Sequence, residues 1–337
     1  MSLPTRKIGQ TQVSAIGYGA MGISSFYGAI TQTDEERFAV LDAVYSNGCK
    51  FIDTADAYGD SEDLLGQWFK RTGKRDDIFL ATKFGFRADS ERRIDGRPAY
   101  VREAVASSLR RLGVDQIDLY YLHRADPLEP IENTVRTMAE FVKSGKIKYL
   151  GLSECSATTL RRAHVVHPIA AVQVEYSPFT LDIEDPKIAL LQTARELGVA
   201  IVAYSPLGRG LLTGQYKGPD DFEDGDFRKG IARYSKENFP NILKLADGLK
   251  KIGQKHGATA GQVSLAWLLA QGEDVIPIPG TRSIKYLQEN LGAIKVQLTP
   301  DDLQEVRKEA ETADVAQGGS RYPPGSEKFL FGDTPAL

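Results

Sequence analysis

The sequence predicts an α/β protein: a (β/α)8 barrel of the TIM type, with a β-hairpin before it and an extra helix and tail behind it. Two observations carry this prediction. From Tyr18 onward, short runs rich in Val, Ile, Leu and aromatics alternate with longer helix-patterned segments, and repeated βα units imply parallel strands covered by helices. Eight such strand candidates occur, which favours closure into a barrel over the alternative, a doubly wound open sheet.

The elements follow in order. "TRKIGQTQVSAIG" gives two short alternating runs around Gly9 and Gln10, the pattern of a hairpin. "AIGYGAM" (15–21) is the first barrel strand, followed by a helix over 33–48 with Thr33 as cap, Glu36 three residues on and Gly48 as stop. "KFIDTA" (50–55), "IFLATKF" (78–84), "IDLYYLH" (117–123) and "IKYLGLS" (147–153) are the next strands, and "AAVQVEYS" (170–177), "VAIVAYS" (199–205) and "DVIPIPG" (274–280) complete the set. Helices are expected over 97–113, 131–145 and 186–198, each ending at Gly. Two segments break the rhythm, 206–240 and 315–337; loops this long act as lids or stand as surface ornament. One barrel domain over 1–337, with its core at about 5–315, is the economical organisation.

Composition narrows the function. At 42% hydrophobic and 26% charged, with net charge −3, the chain carries no electrostatic footprint for nucleic acid or a membrane surface. Only Cys49 and Cys155 occur, so no disulfide framework or CxxC metal pattern is available. No apolar run approaches the roughly 18 residues of a membrane helix, and "MSLPTRKIGQ" has no apolar signal core. A cytoplasmic protein is expected, with a small-molecule partner and an oligomeric state left open.

Two motifs point to chemistry and are set aside. "GYGAMG" (17–22) is a formal GxGxxG, but "ISSFYGAI" separates it from the helix cap at Thr33, whereas a dinucleotide fingerprint opens the helix inside the motif. A Gly-rich strand end approaching a neighbouring backbone is the better reading. His164 and His167 have no third ligand nearby and are followed by Pro168, which favours a helix end over a metal site.

Polar residues stand at the C-terminal end of run after run: Asp53, Lys83, His123, Ser153, Gln173 and Ser205. In a parallel barrel those ends share one mouth. Singly, each has an ordinary structural explanation. Together with Tyr58, just beyond the Asp53 strand, they supply a phenol, an ammonium, a carboxylate and an imidazole. Tyr at its ordinary pKa of about 10 is a weak acid near neutrality. Lys83 is expected to lower that pKa, Asp53 to hold Lys83 charged, and His123 to orient a carbonyl oxygen. Such a site suits carbonyl reduction by hydride transfer.

"FIDTADAYGDSEDLLG", "LATKFG", "DLYYLHRAD", "GLSE", "AVQVEYSP", "AYSPLGRGLLTG" and "IPIPGTRSIKYLQEN" occur in this order, over roughly residues 5 to 330. In these motifs the chain resembles the aldo-keto reductase superfamily, most of all the branch of fungal, plant and bacterial oxidoreductases that carry "GLSE" and resemble pyridoxal- and perakine-type reductases. The resemblance implies a barrel that binds NADPH without a Rossmann domain. It implies Tyr58 as proton donor, Asp53 and Lys83 as its tuning pair, and His123 as the residue that orients the substrate.

It further implies cofactor contacts. Ser153 and Gln173 would hold the carboxamide, with Glu154 where many members have Asn. Tyr204 would stack on the nicotinamide, and Ser205, Leu207, Gly208, Arg209 and Gly210 would meet the pyrophosphate. Gly19 and Met21 would line the site. Gly280, Thr281 and Arg282 precede a helix that Ser283 would cap, an anion site suited to the 2′-phosphate of NADPH. Gln288, Glu289 and Asn290 would contact adenosine. Phe26, Tyr27, Phe84 and the 206–240 segment are candidates for an aromatic pocket rim around an aldehyde or ketone. Two other classes of function fit parts of the pattern: a cofactor-binding sensor subunit with little turnover, and a lyase using Lys83 as a Schiff-base nucleophile.

Overall fold

The computed structural model describes residues 3–25, 27–87, 90–316 and 318–337. Strands β1 (Thr5–Ile8) and β2 (Thr11–Ser14) pair antiparallel across the Gly9–Gln10 turn, as their alternation predicts. Eight parallel strands follow: β3 (Tyr18–Gly19), β4 (Phe51–Asp53), β5 (Phe79–Phe84), β6 (Ile117–Leu122), β7 (Ile147–Ser153), β8 (Ile169–Glu175), β9 (Ala200–Tyr204) and β10 (Val275–Pro277). They lie side by side in sequence order.

The two edges meet. Gly17 N donates to Pro277 O at 2.9 Å and Gly19 N to Pro279 O at 3.3 Å, which closes the sheet into the predicted barrel. Glycine is needed at this seam: a Cβ on Gly280 would lie 2.4 Å from Gly19 O, and one on Gly19 would lie 2.7 Å from Ile278 O. "GYGAMG" is therefore a strand end under close backbone approach, as the sequence reading preferred.

Helices α1 (Met21–Ser24) and α2 (Asp34–Ser46) follow β3, and α3 (Ser61–Thr72), α4 (Pro98–Leu112), α5 (Ile131–Lys143), α6 (Ala157–Val166) and α7 (Leu190–Glu196) follow β4 to β8. After β9 come α8 (Phe239–Lys255) and α9 (Ala260–Ala270), then α10 (Ile284–Gly292) after β10, and α11 (Pro300–Ala316) packed on α8. Thr33 and Glu36 form the expected capping box on α2.

One helix is shorter than its pattern. The apolar rhythm of 186–198 predicts helix throughout, yet α7 begins only at Leu190. Asp185 Oδ1 accepts from Lys187 N at 2.8 Å, closing a local turn, and Ala189 sits at φ +52°. The side chain thus competes with the backbone for its own hydrogen bonds and delays the helix.

Strand alternation decides what fills the barrel. The inward positions form one buried cluster, with Phe51, Phe79, Leu119, Tyr121 and Val202 packed against Ile8 and Val13 of the hairpin. The hairpin therefore plugs the N-terminal end, where each fully buried aliphatic contributes about 1.5–3 kcal/mol. Further along four of the strands, the inward side chain becomes polar, at Asp53, Lys83, His123 and Gln173.

Candidate active site

Period two along the strands runs from Phe51 to Asp53, from Ala81 to Lys83, from Tyr121 to His123 and from Ala171 to Gln173. Each step moves from the apolar plug to the mouth. Lys83 and Asp53 are 0% and 2% exposed at the side chain. Lys83 Nζ donates to Asp53 Oδ1 at 2.5 Å, to Thr54 O at 2.8 Å and to Tyr58 Oη at 3.3 Å. Those acceptors use all three ammonium donors. Gln173 Nε2 donates to Asp53 Oδ2 at 2.7 Å, which fixes the carboxylate from its other side.

Tyr58 stands on the β4–α3 loop, which is tied down by residues of the same motif. Thr54 and Ser61 hydroxyls lie 2.7 Å apart, Glu62 accepts from Thr82 Oγ1 at 2.7 Å and from Arg111 Nη1 at 3.0 Å, and Arg37 holds both Asp60 oxygens at 2.9 Å. The acids after Tyr58 thus serve to hold its loop. The Tyr58 ring meets His123 edge-on at 5.7 Å.

Burial sets the protonation states. It pushes Tyr58 above its ordinary value, and the opposing pull of Lys83 is the smaller effect. This departs from the expectation of a lowered phenol: Lys83 acts in the expected direction, but desolvation outweighs it. Burial would push Lys83 down, yet Asp53 and then Tyr58 hold it above its ordinary value. Burial, followed by the charges of Arg124 and Lys83, holds His123 well below its own. Near neutrality the site therefore presents a protonated phenol, a charged ammonium and a neutral imidazole.

The other expected positions divide. Ser153 Oγ accepts from Arg124 Nη1 at 3.3 Å, and Tyr204 Oη donates to Glu154 Oε1 at 2.7 Å. Glu154 has φ +50° and is fully buried. Arg209 is placed facing inward, its Nη2 donating to Glu175 Oε2 at 3.1 Å, and the N–H groups of Gly208 and Gly210 close turns onto Ser205 O and Leu207 O. Gly280, Thr281 and Arg282 precede α10, where Arg282 donates to Tyr27 O at 2.8 Å and Ala29 O at 3.2 Å. Ser283 is the N-cap residue as expected, but its hydroxyl makes no capping bond, so the first α10 amides keep their donors for another acceptor. Met21 opens α1; Gln288 is exposed, Glu289 accepts from Thr259 Oγ1 at 2.8 Å, and Asn290 is buried.

Of the aromatic rim candidates, Phe26 lies outside the described residues. Phe84 is corrected: it is fully buried and stacked on Tyr120 at 5.0 Å, because its place in the strand faces it away from the barrel interior. Tyr27 packs on Phe227 of the 206–240 segment, at 5.6 Å. Cys155 is buried, and burial pushes its thiol well above the ordinary range. Among the described residues no three metal-ligating side chains cluster, and His167 ends α6 as anticipated.

The tail brings residues that the sequence reading did not single out. Arg321 donates to Glu154 Oε1 and Oε2 at 3.2 and 3.1 Å and to Glu175 Oε2 at 3.0 Å, while Arg209 also binds Glu175. Tyr322 Oη lies 2.9 Å from Tyr204 Oη and accepts from Arg124 Nη2 at 3.2 Å. Further on, Gly332 bridges to Cys155, and Thr334 O accepts from Arg162 Nη1 at 2.9 Å. Alternation along β8 would have marked Glu175 as inward; "RYPP" in the tail carried no comparable signal.

Comparison with known proteins agrees with this fold. Residues 15–311 match the model of the aldo/keto reductase family. The chain is 64% identical over 320 residues to aldo-keto reductase str7 of Strobilurus tenacellus, covering 94% of each. It is 50% identical to aldo-keto reductase yakc [NADP(+)] of Schizosaccharomyces pombe, covering 100% of this chain and 99% of the relative. Among solved structures, a glycerol dehydrogenase from Gluconobacter oxydans superposes with TM-score 0.81 at 28% identity, covering 93% of this chain and 97% of that one. A thermostable aldo-keto reductase bound to the inhibitor epalrestat gives 0.73 at 29%, covering 91% and 100%. The chain belongs to the aldo-keto reductase family. It is an oxidoreductase of that family, whose members use a nicotinamide dinucleotide.

Proposed function

We propose that this protein reduces aldehyde or ketone carbonyls to alcohols with NADPH, and that Tyr58 donates the proton. The observation that carries the reading is the buried chain from Asp53 through Lys83 to Tyr58, with contacts of 2.5 and 3.3 Å. When bound, NADPH supplies the hydride. The carbonyl π pair then moves onto oxygen, and that oxygen takes the Tyr58 proton.

The raised Tyr58 pKa keeps the phenol protonated until that moment, and Lys83 stabilises the phenolate as the proton leaves. His123, held neutral, serves as a hydrogen-bond donor that orients the oxygen and leaves the proton delivery to Tyr58. The Lys83 ammonium is unsuited to Schiff-base chemistry, because a nucleophilic amine must be neutral and Asp53 holds this one charged.

Residues suited to the cofactor are present. The α10 N-terminus, with no side-chain cap and with Gly280, Thr281 and Arg282 before it, suits the 2′-phosphate. Ser153, Gln173 and Tyr204 suit the nicotinamide end; Gly19 and Met21, the 205–210 loop with Arg209, and Gln288 to Asn290 suit the remainder. The test is NADPH consumption, with alcohol formation confirmed, across aldehydes, ketones and quinones. Substrate-dependent turnover supports the reading, whereas tight NADPH binding without turnover over the whole panel overturns it.

A further inference from the structure

Arg124 directly follows His123 beyond the end of β6 and is half-buried. A guanidinium carries five N–H donors. Here Nη1 donates to His123 O at 2.9 Å and Ser153 Oγ at 3.3 Å, and Nη2 donates to Tyr322 Oη at 3.2 Å. All three acceptors are neutral. Nε–H and one Nη2–H have no protein acceptor among the described residues.

The other cations at the mouth are matched. Lys83 pairs with Asp53, Arg209 with Glu175, and Arg321 with Glu154 and Glu175. Arg321 also has Asp182 Oδ2 3.9 Å from its Nε, so each of these three cations has at least one carboxylate partner. Acids on the neighbouring loops are engaged elsewhere: Glu62 with Arg111, Asp95 with Arg97, and Asp126 with Arg92. No carboxylate among the described residues lies within 4.0 Å of Arg124. Half-burying a guanidinium with no carboxylate in contact costs hydration that neutral acceptors and the more distant Glu154 charge repay only in part. The charge is felt at the reacting end of the site, where it lowers the proton affinity of both His123 and Tyr58.

On the carbonyl-reductase reading, we propose that Arg124 determines specificity by pairing with a carboxylate on the substrate, so that the preferred carbonyl compounds are oxo acids or formyl acids. Tyr322 and Ser153 hold the guanidinium in place through one edge. The unused donors receive the carboxylate, and the substrate's carbonyl lies toward Tyr58 and His123. An arginine can meet a carboxylate with two parallel hydrogen bonds, which fixes orientation as well as adding affinity.

The test compares ortho-, meta- and para-formylbenzoate with their neutral methyl esters as substrates of the wild type, Arg124→Gln and Arg124→Lys, the folding of each being checked by thermal melting. The readout is the acid-to-ester ratio of kcat/KM within each protein, which a general loss of activity or of cofactor binding does not move. In the wild type at least one acid should exceed its ester about tenfold, the scale of a charge-assisted hydrogen bond to a desolvated group. The ratio should fall to about one in Arg124→Gln and recover in part in Arg124→Lys. Equal rates for acids and esters in the wild type overturn the inference, as does a preference that survives in Arg124→Gln. If Arg124→Gln fails to fold, the wild-type ratio and the Arg124→Lys ratio still decide. Failure of the wild type to reduce any acid or ester with NADPH is a different outcome, which removes the carbonyl-reductase reading itself.

Discussion

Replacing Arg321 by Met should destabilise the protein far more than a tail residue ordinarily would. Its guanidinium is 3% exposed and donates to two carboxylates, Glu154 and Glu175, which are 0% and 1% exposed. Removing it leaves both carboxylates buried, Glu175 with Arg209 as its remaining ion-pair partner and Glu154 with none in contact among the described residues. Breaking a buried pair from one side costs about 3–5 kcal/mol, which for a chain of this size is a fall in Tm of about 4–7 °C.

The loss should depend on pH in a defined direction. Burial pushes Glu154 up, but Arg321 and then Arg124 more than offset it, so its carboxyl is held below the ordinary value. A depressed carboxyl contributes stability above its unfolded pKa and loses it as pH falls through the folded pKa. Without Arg321 burial dominates, the Glu154 carboxyl rises, and the penalty grows with pH. The gap between wild type and variant should therefore be widest near neutrality and narrow in acid. Urea unfolding of wild type, Arg321→Met, Glu154→Gln and the double variant measures the coupling, which should be about 1–3 kcal/mol. A loss below about 1 kcal/mol, or additive single effects, would place Arg321 with ordinary exposed pairs and refute the buried network.

Two further outcomes are expected. Arg282→Ala should weaken NADPH about tenfold or more and NADH by no more than about twofold in fluorescence titration, because Arg282 stands before the uncapped end of α10; equal weakening would place the 2′-phosphate elsewhere. Asp56, next to the Tyr58 loop, is pushed up to about 8 by burial and then by Glu62. A raised carboxyl contributes stability at low pH that is lost as pH rises toward about 8, so Asp56→Asn should raise Tm by a few degrees at the alkaline end and leave it little changed near pH 4, where melts across the range would show it.

The barrel and the convergence of Asp53, Lys83, His123 and Gln173 were legible because both follow from local periodicity. Alternation along a strand that carries Phe51 inward also carries Asp53 inward, and the same step brings Lys83, His123 and Gln173 to one mouth. Local pattern fails where a residue has a distant partner. Arg209 lies in a Gly-rich turn, and nothing in that turn announces that its guanidinium donates to Glu175, 34 positions earlier in the chain. Arg321 reaches back 167 residues to Glu154, and no motif marks that pairing. Phe84 failed differently: its place in the strand faces it away from the barrel interior, so residue type alone misplaced it at the pocket rim.

Tyr58 is the proposed acid, and the most direct measurement compares wild type with Tyr58→Phe in steady-state reduction of a carbonyl substrate, with NADPH binding titrated in parallel. Loss of a positioned general acid costs about 10²- to 10⁴-fold in rate. A fall of that size in kcat is expected while NADPH affinity stays within about twofold, since the phenol's role is at the reacting oxygen. Turnover within about threefold of wild type would contradict it, because general acid catalysis of the expected size could not then come from Tyr58.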